Sequence, residues 1–114
     1  MTVLLKKQQI FSLNIAKLIT YIYEQGYTCT LGECFRTPEQ ALIYAKSGKG
    51  IKDSLHCKRL ALDINLFSPE GVYLPNTSDY EPLGVYWESL NPANRWGGLF
   101  KPRSDGNHIE MQDI

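Results

Sequence analysis

The stretch Ser54-Leu55-His56-Cys57-Lys58-Arg59-Leu60-Ala61-Leu62-Asp63-Ile64-Asn65-Leu66-Phe67 carries the clearest period in the chain. Successive side chains of a strand point to opposite faces. From Leu60 onward, Leu60, Leu62, Ile64 and Leu66 therefore share one face, and Ala61, Asp63 and Asn65 the other. The first is a core face. Asp63 projects away from it, and a carboxylate within an apolar strand costs free energy unless it is capped, ion-paired or bound to a metal.

Working outward, Tyr27, Cys29 and Leu31 alternate with Thr28 and Thr30, which predicts a short strand entering a Gly32-to-Arg36 loop. Upstream, Phe11, Ile15, Leu18, Ile19 and Ile22 recur at three- and four-residue spacing, the mark of one helix face, and Gly26 can stop that helix. Thr37, Pro38 and Gln40 read as a capping box opening a helix through about Lys46, followed by a glycine-punctuated loop from Ser47 to Ser54. Downstream, Pro69-Glu70-Gly71 turns the chain. Leu83, Tyr86, Trp87 and Leu90 predict a helix beginning at Ser78 to Pro82 and closed by Asn91-Pro92. The last run alternates again, His108, Glu110 and Gln112 opposite Ile109 and Met111, after an irregular connection through Pro102 and Gly106. No repeat or linker divides residues 1–114, so one α+β domain is expected.

The 114 residues, 43% of them hydrophobic and 21% charged, are those of a globular chain and exclude disordered, collagen-like and mucin-like classes. Twelve basic residues balance twelve acidic ones and form no basic block, so no nucleic-acid partner is expected. Cys29, Cys34 and Cys57 are an odd number, better read as thiols than as a disulfide framework. Leu4-Leu5-Lys6-Lys7-Gln8-Gln9 reverses the charge order of a signal peptide, and no apolar run approaches the length of a membrane span. Synthesis in the cytoplasm, with no integral membrane segment, is the expectation.

Both histidines fall in the two most distinctive segments, Ser54 to Asp63 and Asp105-Gly106-Asn107-His108-Ile109-Glu110. His56, Asp63 and His108 together offer two neutral nitrogens and one carboxylate, the ligand count of a catalytic zinc site with an open position for water. Taken singly, each histidine is equally consistent with packing. Cys57 is a weaker ligand candidate, because adjacent strand residues face opposite ways. Asp105 and Glu110 are both candidates to move the proton that hydrolysis requires, and spacing alone does not choose between them.

At these residues the chain resembles the M15 zinc peptidases, the D,D-peptidase and L-alanyl-D-glutamate peptidase superfamily, and within it compact phage endolysin domains. Ser54, His56, Ala61 and Asp63 fit the first metal motif of that family; Asp105, His108 and Glu110 fit the second. Trp96-Gly97-Gly98-Leu99-Phe100 is similar to the aromatic, glycine-rich segment before the second motif, although core packing explains Trp96 and Phe100 as well. Arg36 matches an arginine that binds a substrate oxygen. The chain departs from the family at Arg59, where many members have glycine, and at Asp105, where many have glutamate.

The resemblance implies a small domain with an antiparallel sheet and flanking helices, resembling the zinc D,D-peptidase fold, without a separate cell-wall-binding domain. It implies zinc held by His56, Asp63 and His108, Asp105 as general base and acid, and Arg36 on a substrate oxygen. Ser54, Glu110 and Trp96 become supporting or substrate-contacting residues. The implied activity is hydrolysis of peptidoglycan stem peptides at the L-alanyl-D-glutamate bond. D-alanyl-D-alanine carboxypeptidase and an inactive zinc-stabilised peptide-binding domain are the alternatives. A monomer acting on the bacterial wall after release, helped by a separate membrane-permeabilising protein, completes the expectation.

Overall fold

The computed structural model describes residues 2–51 and 54–113. In chain order these form helix α1 (Val3–Glu24), strand β1 (Thr28–Leu31), helix α2 (Pro38–Lys46), strand β2 (Ala61–Phe67), helix α3 (Glu81–Ser89), strand β3 (Asn94–Trp96) and strand β4 (His108–Met111). Short 3-10 turns occupy Leu55–Lys58, Thr77–Tyr80 and Gly97–Leu99.

Local chemistry sets the helix ends. Thr2 caps α1 by accepting the Leu5 N–H at 3.1 Å, and the chain leaves the helix through Gly26 at φ +88°, a conformation that costs glycine little. Thr37 caps α2 in the same way, accepting from the Gln40 N–H at 3.1 Å with Pro38 at the first helical position. The α1 face predicted from spacing is the one that is buried, through Phe11, Leu18 and Ile22.

The strands form one antiparallel sheet in the order β1-β2-β4-β3. Register divides its two faces. Leu62 pairs with Ile109, and Ile109 with Trp96, so all three side chains enter the core; there Leu62, Ile64, Leu66, Ile109 and Met111 join Phe11, Leu18, Ile22, Leu83 and Trp87 in a single cluster. Phe11 meets Trp87 edge to face with ring centroids 5.5 Å apart, and the Trp87 indole N–H donates to the Glu110 carbonyl at 3.0 Å, tying α1 and α3 to the sheet. On the opposite face the same register sets Asp63 against His108 and Glu110 against Arg95.

The observed architecture is the expected α+β fold with an antiparallel sheet and flanking helices. Four details differ. Leu60 precedes β2 rather than belonging to it, and β3 was not anticipated because three residues are too few to show a period. His56 and Cys57 lie in a 3-10 turn, not in a strand, because Ser54 caps Leu55–Lys58. All four β4 residues are buried, since the loop through Phe100 covers the polar face that alternation alone would leave wet. No helix among the described residues is long and apolar enough to cross a membrane.

Candidate metal centre

Asp63 and His108 face each other because β2 and β4 pair in that register; His56 reaches them from the turn before β2. The turn is fixed at both ends. The His56 N–H donates to Ser54 Oγ at 3.1 Å, and the Arg36 N–H donates to the His56 carbonyl at 3.1 Å. The extension of β1 closes over Asp63: Gly32 N–H donates to its carbonyl at 2.7 Å, and the Asp63 N–H donates to the Glu33 carbonyl at 3.0 Å. A Cβ on Gly32 would stand 3.1 Å from Asp63 Cβ, so a glycine permits this approach.

The same extension brings the Cys34 carbonyl within 3.2 Å of His56 Nδ1. A carbonyl only accepts, so in neutral His56 the Nδ1 carries the proton and the Nε2 lone pair is free. That Nε2 is 3.4 Å from Asp63 Oδ1, and His108 Nδ1 is 3.3 Å from the same oxygen. The other nitrogen of His108 lies 2.8 Å from Glu110 Oε1, and Arg95 in turn donates to the second oxygen of Glu110 at 2.9 Å from its Nε. One donor atom from each of His56, Asp63 and His108 lies within 4.8 Å of the other two.

The charges reflect this crowding. Burial pushes the Asp63 carboxyl upward, but hydrogen bonds from His108 and His56 outweigh it and hold the group well below the ordinary carboxylate range. Burial works against a charged His108, yet its bonds to Asp63 and Glu110 prevail and raise it to about 9. Glu110 is drawn low, against its own desolvation, by His108 and Arg95. A cation of higher charge than a proton fits the same cage. Two imidazoles with anchored rings and a carboxylate make the donor set of a three-ligand divalent metal site, and occupancy would release the His108 proton.

Around this cluster lies a cleft of about 710 Å³ that includes Arg36, Ser54, Asp105 and Glu110 in its walls. Asp105 is at its exposed mouth. Desolvation raises the Asp105 carboxyl above its ordinary value; the histidines His108 and His56 oppose that and Asp63 adds to it. Its backbone is pinned: Asp105 N–H donates to Gly97 O at 2.8 Å, and His108 N–H donates to Asp105 O at 3.1 Å.

Trp96 stands in the core and outside the cleft wall, but it acts on this turn by donating from Nε1 to the Gly106 carbonyl at 2.7 Å. Phe100 is half-buried against the His108 ring, with centroids 5.6 Å apart. Arg36 lines the cleft with its guanidinium over the Tyr44 ring and its Nε donating to Glu33 Oε1 at 2.7 Å. Arg59, where the resemblance leads one to expect glycine, has a left-handed backbone at φ 55° and stacks on Phe35 at 4.1 Å.

Three supporting groups escaped the sequence reading. Glu33 pairs with Arg36, the Cys34 carbonyl orients His56, and Arg95 charges Glu110. The first two belong to a loop with no period, and a backbone carbonyl has no residue-type signal. Arg95 was detectable only through the β3–β4 register.

A family model described as D-alanyl-D-alanine carboxypeptidase, from the M15 peptidases, matches residues 47–111, more than half of the chain. No curated protein matches. Among solved structures, the L-Ala D-Glu endopeptidase ChiX of Serratia marcescens is similar with a TM-score of 0.64 and 21% identity, over 75% of this chain and 67% of that one. At that identity the likeness concerns the fold.

Proposed function

The chain belongs to the M15 peptidase family, and on that premise we propose that it is a zinc-dependent hydrolase of peptidoglycan stem peptides, acting at the L-alanyl-D-glutamate bond. The observation that carries this reading is the convergence of His56, Asp63 and His108 within 4.8 Å, in the same cleft as Asp105. The activity named for the similar Serratia marcescens structure supports the choice of bond. The description of the matching family favours a second reading, release of the terminal D-alanine by a D-alanyl-D-alanine carboxypeptidase.

Zinc held by His56, Asp63 and His108 would supply Lewis acidity, lowering the pKa of water and polarising a carbonyl. The remaining work falls to side chains. Asp105, whose carboxyl burial raises above its ordinary value, takes the proton from the attacking water and returns it to the leaving amine. Arg36 turns free guanidinium N–H groups to the substrate oxygen on which charge develops, while Glu33 and Tyr44 fix its orientation. Glu110 and the Cys34 carbonyl hold the two imidazole rings. Attack by water needs no covalent intermediate, so Ser54 need not be a nucleophile, and it holds the turn that carries His56. Action on the wall after release from the cytoplasm, with a separate protein opening the membrane, belongs to the same proposal.

Replacing Asp105 with Asn tests it. Turnover of defined muropeptides, followed by mass analysis, should fall by about 10²- to 10⁴-fold while metal content stays unchanged. Undiminished turnover would remove Asp105 from its role. Products lacking only the terminal D-alanine would move the assignment to the carboxypeptidase. Muropeptides left intact by the zinc-loaded wild type would leave a non-catalytic, metal-stabilised binding domain.

A further inference from the structure

Among the described residues the charges in the cleft do not all pair. Of the five Lys and Arg side chains that described residues place in its walls, Arg36 is bound to Glu33, Arg95 to Glu110 and Lys58 to Asp113. Lys49 and Arg103 have no carboxylate partner among the described residues, and both are exposed at the cleft mouth. The loops that carry them are joined. Arg103 Nη1 donates to the carbonyl of Gly48, the residue before Lys49, at 3.2 Å, which joins the loop after α2 to the loop that ends at Asp105. One of five guanidinium N–H groups is spent on that contact, and the rest keep the fork geometry suited to a carboxylate.

Both line the same cleft as Asp105. Arg103 precedes by two residues the acid proposed to protonate the leaving amine. In both candidate bonds the carbon bearing the scissile nitrogen also bears a carboxylate: the α-carboxylate of D-glutamate in one case, the terminal carboxylate of D-alanine in the other. We propose that Lys49 and Arg103 form a subsite for the free carboxylate of the leaving D-amino acid, so that the protein selects stem peptides in which that carboxylate is not amidated. This rests on the peptidase reading but not on which of the two bonds is cut.

The test uses the zinc-loaded protein and three versions of an L-Ala-γ-D-Glu-L-Lys-D-Ala-D-Ala peptide: free acid, D-glutamate α-carboxamide, and C-terminal carboxamide. Amidation of the carboxylate on the leaving residue should raise KM about tenfold with little change in kcat, and amidation of the other should not. In the Lys49→Gln/Arg103→Gln variant the free acid should lose that advantage, with the amide cleaved as before. Equal losses on acid and amide would overturn the subsite. Calorimetry on the Asp105→Asn protein separates the two proposals, because it reads recognition without turnover. Tighter binding of the acid than of the amide, abolished by the double substitution, keeps the subsite even if no peptide is cleaved. Equal or absent binding of the acid overturns it.

Discussion

Replacing Gly84 with alanine should destabilise the protein, although the same change inside a free-standing helix adds about 1 kcal/mol of stability. Gly84 lies in α3, and a Cβ there would sit 2.1, 2.4 and 2.6 Å from Cδ2, Cγ and Cε3 of Trp96. The indole has nowhere to go. Its Nε1 is bonded to the Gly106 carbonyl, and a Cβ on Gly98 would already fall 2.1 Å from its Cζ2, so a second glycine closes on another part of the ring. Either the ring leaves its slot, losing the about 3–5 kcal/mol typical of a deleted buried aromatic, or α3 backs away at about 1–3 kcal/mol. After the gain in helix propensity is subtracted, the net loss should be about 2 kcal/mol, or roughly 10 °C in Tm. Urea unfolding followed by circular dichroism measures it. Metal affinity should fall as well, since the displaced ring no longer holds Gly106 and the turn into His108. A Gly84→Ala protein as stable as the wild type would refute the reasoning. So would an undiminished cost of Gly84→Ala in a Trp96→Leu background, where the obstructing ring is gone.

His56→Ala should abolish stoichiometric zinc binding, read by metal analysis after dialysis, and turnover with it; a variant that retains bound zinc contradicts the ligand assignment. Metal-stripped protein should lose thermal stability between pH 6 and pH 9.5. His108 is raised to about 9, so its contribution is complete below its ordinary pKa and disappears as pH rises through the folded value. Asp63, held low, contributes above the ordinary carboxylate range and is lost on acidification, so the metal-free optimum should lie near pH 5–6; a midpoint that climbs steadily toward pH 9 argues against the His108–Asp63–Glu110 chain. At Arg59, alanine keeps the left-handed backbone but loses the stack on Phe35, whereas glycine relieves the backbone, so Arg59→Gly should be more stable than Arg59→Ala by about 1 kcal/mol in chemical denaturation. The reverse order would show that this position carries no backbone strain.

The sequence was most informative where one face of an element is apolar. Alternation through Leu62, Ile64 and Leu66 locates β2 and gives Asp63 its face, and the spacing of Phe11, Leu18 and Ile22 orients α1. Alternation also located Asp63 and His108, whereas His56, in a turn, was legible from its segment and from the resemblance that joins the two halves of the cluster. What stayed hidden depends on contacts between segments distant in sequence. β3 is three residues long and exists because β4 offers it a partner; the burial of Glu110 follows from Arg95 beside it. Trp96 shows the limit most plainly. Its type and its glycine neighbours suit either a cleft wall or a core, and only Gly84, from a different element, decides for the core.

The strand order β1-β2-β4-β3 also constrains when the protein can become active during its own synthesis. Of the four strands of this sheet β4 is made after the other three, yet it occupies an interior position between two of them. Until residues 108–111 have left the ribosome, β2 and β3 have no common neighbour, and Asp63 faces a gap where His108 belongs. A nascent chain therefore holds a partial core and two of the three residues of the binding cage, and the completed cage appears only in the step that closes the sheet. Translation order thus delays the metal cage until this sheet closes.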